Sequence, residues 1–413
     1  MSDRSKGNGP LGYQNWKAAL AGRPHSRMSE AFLYSDASIT GELSAEEPHK
    51  PYGLLNMLPD HRGSQLAPVI ALRIQMHLEA ELPSFQETDT ASFHGGNIAD
   101  EIAALAALAM GIRLRAGATT RDFYPGDALG RPCADRAIPV LLPPDSRPGP
   151  RIPGATGQHN LNELFLPYLV TYPTLEPGDA TALVRSARFY SDALWIAEAE
   201  PDLAWLFLVS ALEAVATHVH EETSEPRAVL ATSHPRLVKA LEPHGEELVD
   251  EVAMLLLPYL KATARFRDFV LEYLPPPPQK RPPHEHLCVK WEKNSLRESL
   301  EKIYGHRSRA LHDGTPFPPP MSDHPPIPSE IPMGATATLG GVWLAEDMPM
   351  LMPVFEYITR GVLLNWWKAV AKVSAPKGCE TKDTTETQTQ SSPESLGDDG
   401  QTGGRPTGGP LTC

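Results

Sequence analysis

Cysteine is scarce in this sequence, and nothing in it resembles a secretory signal. The 413 residues include four cysteines, none close enough to another to indicate a paired site: Cys133, Cys288, Cys379 and Cys413. This composition excludes a secreted scaffold held together by disulfides. No continuous apolar run of about 18 residues stands out either. We therefore expect a reduced, cytoplasmic protein without a membrane partner.

Positive charge is also in short supply, which argues against a broad surface that coats nucleic acid. The net charge is −14, although net charge governs nonspecific association more than it governs one cleft. Residues 280–312 depart from this average, because eight Lys or Arg are balanced there by only four Glu. This segment has a local charge of +4 and is where we expect a polyanion to be attracted.

The length and the 41% hydrophobic content suit a packed core and either two domains or one domain with large extensions. We expect a mixed α/β N-terminal domain of unknown role at 1–160 and a helical domain at 178–373. Residues 374–413 are rich in Thr, Ser, Gly, Gln and acidic residues, so we expect a disordered tail there. The predicted fold class is mainly α.

The first region gives one clear helix and one short strand. Asn97 is a good N-cap for an apolar-periodic run that closes at Gly111, which predicts a helix of about four turns. The alternation of residues 112–115 then indicates a strand. Residues 30–95 contain short apolar runs that fit either strands or brief helices.

The second region is dominated by apolar residues repeating at intervals of three and four, which is typical of core helices. Proline-rich connections interrupt the pattern at 275–283 and 316–332. We expect helices near 179–199, 202–218, 246–274, 295–312 and 350–372.

The fourth of these helices contains the main candidate site. Ser295 and Glu298 have the spacing of a capping box, and Gly314 is suited to close the helix. Arg307 supplies a fixed positive charge and His312 can move a proton near neutral pH. Five residues correspond to about 140° on a straight helix. The two side chains are therefore expected to converge only if His312 lies at or beyond the helix end.

Spacing alone does not define a site, because Arg281 and His286 have the same separation in a proline-rich stretch. With 24 Arg and 15 His in the chain, about one such pair is expected by chance. The capped helix around Arg307 and His312 is what distinguishes that pair from this decoy.

The run from Tyr304 to Gly314, YGHRSRALHDG, resembles the motif of ApeA-like HEPN domains: Arg-Ser, three residues, His, a small residue and Gly. The similarity extends upstream through residues 187–190 and 211–214 and covers about 178–372. In the wider HEPN superfamily, an Arg and a His separated by four to six intervening residues form the active site of metal-independent ribonucleases. The resemblance thus implies a HEPN-type helical bundle.

The same resemblance implies an endoribonuclease of toxin or antiviral-defence type that cleaves RNA through 2′-hydroxyl attack, as a homodimer and without a cofactor. His312 would transfer the proton, Arg307 would stabilise charge on the phosphate and Ser308 would offer it a hydrogen bond. Glu213 occupies a position where similar domains carry an acid, and its expected role is to orient Arg307. The alternative is a non-catalytic HEPN module for assembly or for sensing nucleotide or RNA.

A second candidate, at His284, His286 and Cys288, places three possible metal ligands at alternate positions. No fourth ligand is evident, and Pro282 and Pro283 favour a loop. Motifs for phosphate-binding loops, zinc peptidases and serine hydrolases do not occur. The sequence therefore predicts neither a metal nor a cofactor.

Overall fold

The computed structural model describes residues 8–43, 50–57, 66–78, 88–134, 137–142, 149–219, 225–260, 262–338 and 340–374. These described residues form one compact unit as far as Ser374. The predicted tail at 374–413 lies, apart from Ser374, outside them.

The first half of the chain combines a sheet with helices. Its elements are α1 (Leu11–Leu20), β1 (Arg27–Ser35), β2 (Ser38–Thr40), β3 (Tyr52–Asn56), β4 (Ala67–Met76), α2 (Ile98–Met110), β5 (Arg115–Phe123), β6 (Arg131–Pro132), β7 (Gln158–Asn160), α3 (Leu161–Leu164) and α4 (Leu166–Leu169).

The second half is helical apart from one short hairpin. Its elements are α5 (Pro177–Ile196), α6 (Pro201–Val219), α7 (Pro226–Ser233), α8 (Pro235–Leu241), α9 (Glu246–Leu260), α10 (Ala262–Glu272), α11 (Lys293–His312), β8 (Thr336–Thr338), β9 (Gly341–Trp343) and α12 (Met352–Ser374). The mixed α/β region followed by a helical region is thus as predicted.

The main sheet is antiparallel, with strand order β3-β4-β1-β5-β6. Side chains alternate between its faces. One face buries Leu33 beside Ile70 of the neighbouring strand, and Leu54 beside Leu72. Residues 30–95, where strands and helices were both open, therefore supply β1, β3 and β4.

Helix α2 lies at the centre of the molecule and is buried on nearly every side. A helix that is apolar all round belongs in a core, and α2 contacts both β5 and α5. Asn97 and Asp100 form a capping box at its start, and Gly111 closes it with φ 72°, as predicted for Asn97 and Gly111. Arg360 of α12 donates to the Leu108 and Ala109 carbonyls at its end, at 3.0 and 2.5 Å.

One hydrophobic core combines residues of the sheet region and of the helical region, from Tyr13 to Ala371. The predicted boundary near residue 160 therefore marks a change of architecture, from sheet to helices, inside one compact unit. Helices α7, α8 and α9 form a smaller cluster of their own, around Leu230 and Val249. This cluster is inserted between α6 and α10, so the predicted helix at 246–274 is in fact α9 followed by α10.

Among the described residues, α6 alone is long and apolar enough to cross a membrane by length and composition. The same composition is typical of a core helix, and 44% of its most apolar window is buried inside the protein.

The strand predicted at 112–115 begins only at Arg115, because Arg113 does not alternate outward. Its side chain is 3% exposed and donates to Asp36 at 2.6–3.0 Å and to Glu198 at 3.3 Å. The Arg151 backbone N–H also donates to Glu198, at 2.9 Å. One buried guanidinium thus joins the sheet region to the C-terminal end of α5.

We expect Arg113→Met to lower the free energy of unfolding by about 3–5 kcal/mol, because it leaves the buried Asp36 and Glu198 carboxylates without their cation. Urea denaturation measures this loss. The exposed Arg121 on β5 provides the control, and Arg121→Met is expected to cost about 1 kcal/mol or less. Equal losses for the two variants would contradict the structural role of Arg113.

Candidate functional site

Helix α11 carries the candidate site and is amphipathic. Its apolar face buries Leu296, Leu300, Ile303 and Tyr304. Gly314 follows the helix with φ 65°, and the Thr315 N–H returns to the Arg309 carbonyl at 3.2 Å. This left-handed closure at Gly314 is as predicted from the sequence.

The predicted start of α11 is wrong. The helix begins at Lys293 after the extended residue Glu292, and no side chain caps it. Ser295 lies within the first turn, where its carbonyl accepts the Ser299 hydroxyl at 3.0 Å. Ser295 and Glu298 therefore do not form a capping box, because Ser295 lies inside the helix and is not its N-cap residue.

The carboxylate of Glu213, on α6, receives two side chains of α11. The Tyr304 hydroxyl donates to Glu213 Oε1 at 2.7 Å, and Arg307 Nη2 donates to Oε2 at 2.7 Å. The pairing of Glu213 with Arg307, expected because a carboxylate on an apolar helix needs a partner, is present. The Arg307 guanidinium also lies over the Tyr304 ring, 5.5 Å from its centroid.

Tyr304 stays a hydrogen-bond donor at all ordinary pH values. Burial raises the pKa of its hydroxyl above the usual 10.0, and the Glu213 carboxylate raises this pKa further. The Phe266 ring of α10 packs against Tyr304 at 5.3 Å between centroids. The Tyr304–Glu213–Arg307 cluster therefore combines a fixed cation with a fixed carboxylate in a half-buried position.

Arg307 has hydrogen-bonding capacity beyond this ion pair. Its side chain is 21% exposed, and its Nε, which is buried, has no hydrogen-bond partner among the described residues. A guanidinium has five N–H donors. The part of Arg307 that reaches solvent can therefore still contact an anionic group.

His312 is exposed and is the last residue of α11. Because helix α11 runs continuously from Arg307 to His312, an ideal helix places these side chains about 140° apart. Ser308 is half-buried and lies within about 40° of His312 around the helix. Within one chain, Ser308 is therefore on the same side of the helix as His312, whereas Arg307 is bonded to Glu213.

Two neighbours in the motif were missed by the sequence reasoning. His306 is buried, and its Nδ1 accepts a hydrogen bond from Arg309 Nη2 at 2.7 Å. Since Arg can only donate, the His306 proton is on Nε2, which donates to the Asp347 carbonyl at 2.8 Å. The spacing of His306 from Ile303, three residues along the apolar face, is the sequence signal from which its burial could have been predicted.

The two residues of the decoy pair have different environments. Two nitrogens of Arg281 donate hydrogen bonds to the buried carboxylate of Glu330, at 2.8 and 2.6 Å, and its guanidinium stacks on Trp291. Arg281 is therefore a structural residue and a poor control for the site, whereas His286 is exposed.

The His284–Cys288 segment forms a short 3-10 turn and not an extended strand. The His284 and His286 rings stack at 5.6 Å, and the Cys288 thiol donates to the Pro282 carbonyl at 3.5 Å. In the part of the chain that the structure describes, no three His, Cys, Asp or Glu side chains converge as metal ligands would.

No protein-family model, no curated protein and no solved structure matches this chain. The functional argument therefore depends on the geometry of α11 and on the motif within it.

The buried imidazole of His306 predicts a pH dependence of stability. Burial lowers the pKa of His306 below its ordinary 6.5, so the unfolded chain takes up a proton more readily than the folded one. The contribution of His306 is complete above pH 6.5 and is lost as the pH falls below 6.5 towards the folded-state pKa. We expect His306→Gln to flatten the decline in the free energy of unfolding between pH 7.5 and 5.5.

The exposed His286 is the control, and His286→Gln should keep the wild-type pH profile. Urea denaturation at each pH measures the effect. A profile of His306→Gln that parallels the wild type would show that His306 does not carry this dependence.

Proposed function

We propose that this protein is a metal-independent endoribonuclease of HEPN type, acting on RNA in the cytoplasm in toxin or antiviral defence. The observation that supports it most is that one helix, α11, holds Arg307 in a fixed position through Glu213 and presents an exposed His312 at its end. The motif that resembles the HEPN signature thus has an ordered cation and an accessible proton-transfer group.

The separation of about 140° that an ideal helix gives these side chains favours a homodimer, as the resemblance implies. In a two-fold assembly, Arg307 of one copy meets His312 of the partner subunit, and two equivalent sites result. RNA is drawn to the site by the basic residues of the 280–312 segment.

In each site His312 takes the proton from a ribose 2′-hydroxyl, whose oxygen then attacks the adjacent phosphorus. The bond from phosphorus to the 5′-oxygen breaks, and the protonated imidazole returns its proton to the leaving oxygen. Arg307 stabilises the negative charge that develops on the phosphate, with Ser308 as an additional donor. The products are a 2′,3′-cyclic phosphate and a 5′-hydroxyl.

A specific observation favours the alternative of a non-catalytic HEPN module. Arg307 is engaged by Glu213 and packed on Tyr304, which is what a purely structural arginine would do. In that case the motif serves to join α6 to α11, and the protein acts through assembly or through sensing of nucleotide or RNA.

Substitutions at the two residues distinguish these functions. If the site is catalytic, Arg307→Met and His312→Ala should each lower the rate of RNA cleavage at least about 100-fold, because a general acid or base contributes roughly 10²–10⁴. Arg307→Lys should be nearly as impaired, because Lys lacks the planar fork of donors. Excess chelator should leave the wild-type rate unchanged.

Two matched controls separate catalysis from stability. Arg267 of α10 resembles Arg307, because it bonds Glu301 of α11 at 2.7 Å and is 19% exposed. Arg267→Met should lower the free energy of unfolding as Arg307→Met does but retain RNA cleavage, and His286→Ala should behave like wild type.

Full activity of His312→Ala, or activity that appears only with added metal, would rule out the proposed mechanism. A folded wild-type dimer without activity on mixed RNAs would favour the non-catalytic module.

A further inference from the structure

A cavity of about 260 Å³ lies between α2, the start of β5 and α5, and the candidate ribonuclease residues do not line it. Its polar lining combines two cations, two carboxylates and one hydroxyl: Arg115, Arg188, Asp100, Asp192 and Ser191. Its apolar lining consists of small side chains and one leucine: Ala103, Ala104, Ala116 and Leu114.

Arg188 is held in this cavity wall without a complete set of partners. Its Nη1 atom is buried and has no hydrogen-bond partner among the described residues. A Cβ atom on Gly96 would lie only 2.0 Å from this nitrogen, so a larger residue there would displace the Arg188 side chain. Arg188 also lines the cavity, and an anionic group there would compensate the charge of its guanidinium, which is costly to leave unpaired.

The carboxylates in the wall keep free acceptor positions. Asp100 Oδ2 accepts the Asn97 N–H at 2.9 Å as part of the α2 capping box, and Asp192 Oδ1 accepts from Arg115 Nη2 at 2.5 Å. A carboxylate offers about four acceptor positions. Each of these aspartates can therefore receive an ammonium group as well.

The balance of charges in the cavity selects the ligand. A simple anion would meet Arg188 but also two carboxylates, and a simple cation would meet the aspartates but also two arginines. A molecule with both charges satisfies both sets. The cavity volume of about 260 Å³ is below the ~300–1,000 Å³ typical of pockets for drug-sized ligands, so the ligand is a small molecule.

The geometry points to a binding site for a free α-amino acid, with its carboxylate on Arg188 and its ammonium group on Asp100 or Asp192. The alanines of α2 and β5 form the apolar part of the wall and limit the side chain to a small one. This site is independent of the proposed ribonuclease activity and would make the sheet region a sensor of a small metabolite.

The test is a binding titration of the full chain, by calorimetry and thermal unfolding, with each of the twenty amino acids and with acetate and methylamine as probes of one charge. We expect saturable binding of at least one small amino acid and at least ten-fold weaker binding of either single-charge probe. Arg188→Met should abolish the binding. Arg227→Met, which removes an arginine from α7, should retain it.

Ala116→Leu provides a second variant that fills the cavity from β5 and leaves every charge in place. It should also abolish amino-acid binding, and it tests the site independently if Arg188→Met does not fold. The proposal is overturned if no amino acid binds, if acetate binds as tightly as the amino acid, or if binding survives in Ala116→Leu.

Discussion

The carboxylate of Glu213 is the constraint on which the arrangement of α11 depends. It lies on an apolar helix, where an unpaired charge would be strongly unfavourable, and it is satisfied by Tyr304 and Arg307 at 2.7 Å each. These two hydrogen bonds constrain the position of α11 along its axis and its rotation about that axis, relative to α6. With Arg307 turned towards Glu213, the helical repeat turns His312 towards solvent. The exposed position of His312 is thus related to the ion pair between Arg307 and Glu213.

A second buried ionic group unites the two halves of the chain. Arg113 bonds Asp36 in the sheet region and Glu198 after α5, and α2 packs between the same two regions. The proposed amino-acid site lies at this junction, since α2, β5 and α5 all line it. Because α5 packs directly on α6, a ligand there would contact the helix next to the one that carries Glu213.

Periodic apolar residues allowed the long helices to be predicted, because their burial in one core follows the helical repeat. The partner of Glu213 could be predicted because a carboxylate on an apolar helix needs a partner, and the motif on α11 supplied Arg307 as the candidate. The strand start at 112–115 was wrong because Arg113 is buried by an ion pair that local alternation does not encode. The cap at Ser295 was wrong because the helix begins one turn earlier than the local motif. In the proposed function, convergence of Arg307 with His312 depends on a second copy, which the geometry of one chain does not describe.

Subunit mixing tests the central claim most directly. Arg307→Met and His312→Ala are each inactive in the composite-site account, but a heterodimer of the two contains one site with both residues intact. After subunit exchange at equal concentrations, RNA cleavage is expected to return to roughly a quarter of the wild-type rate, since about half the dimers are mixed and each has one working site. An exchanged mixture that remains inactive would contradict a site shared between two copies of α11.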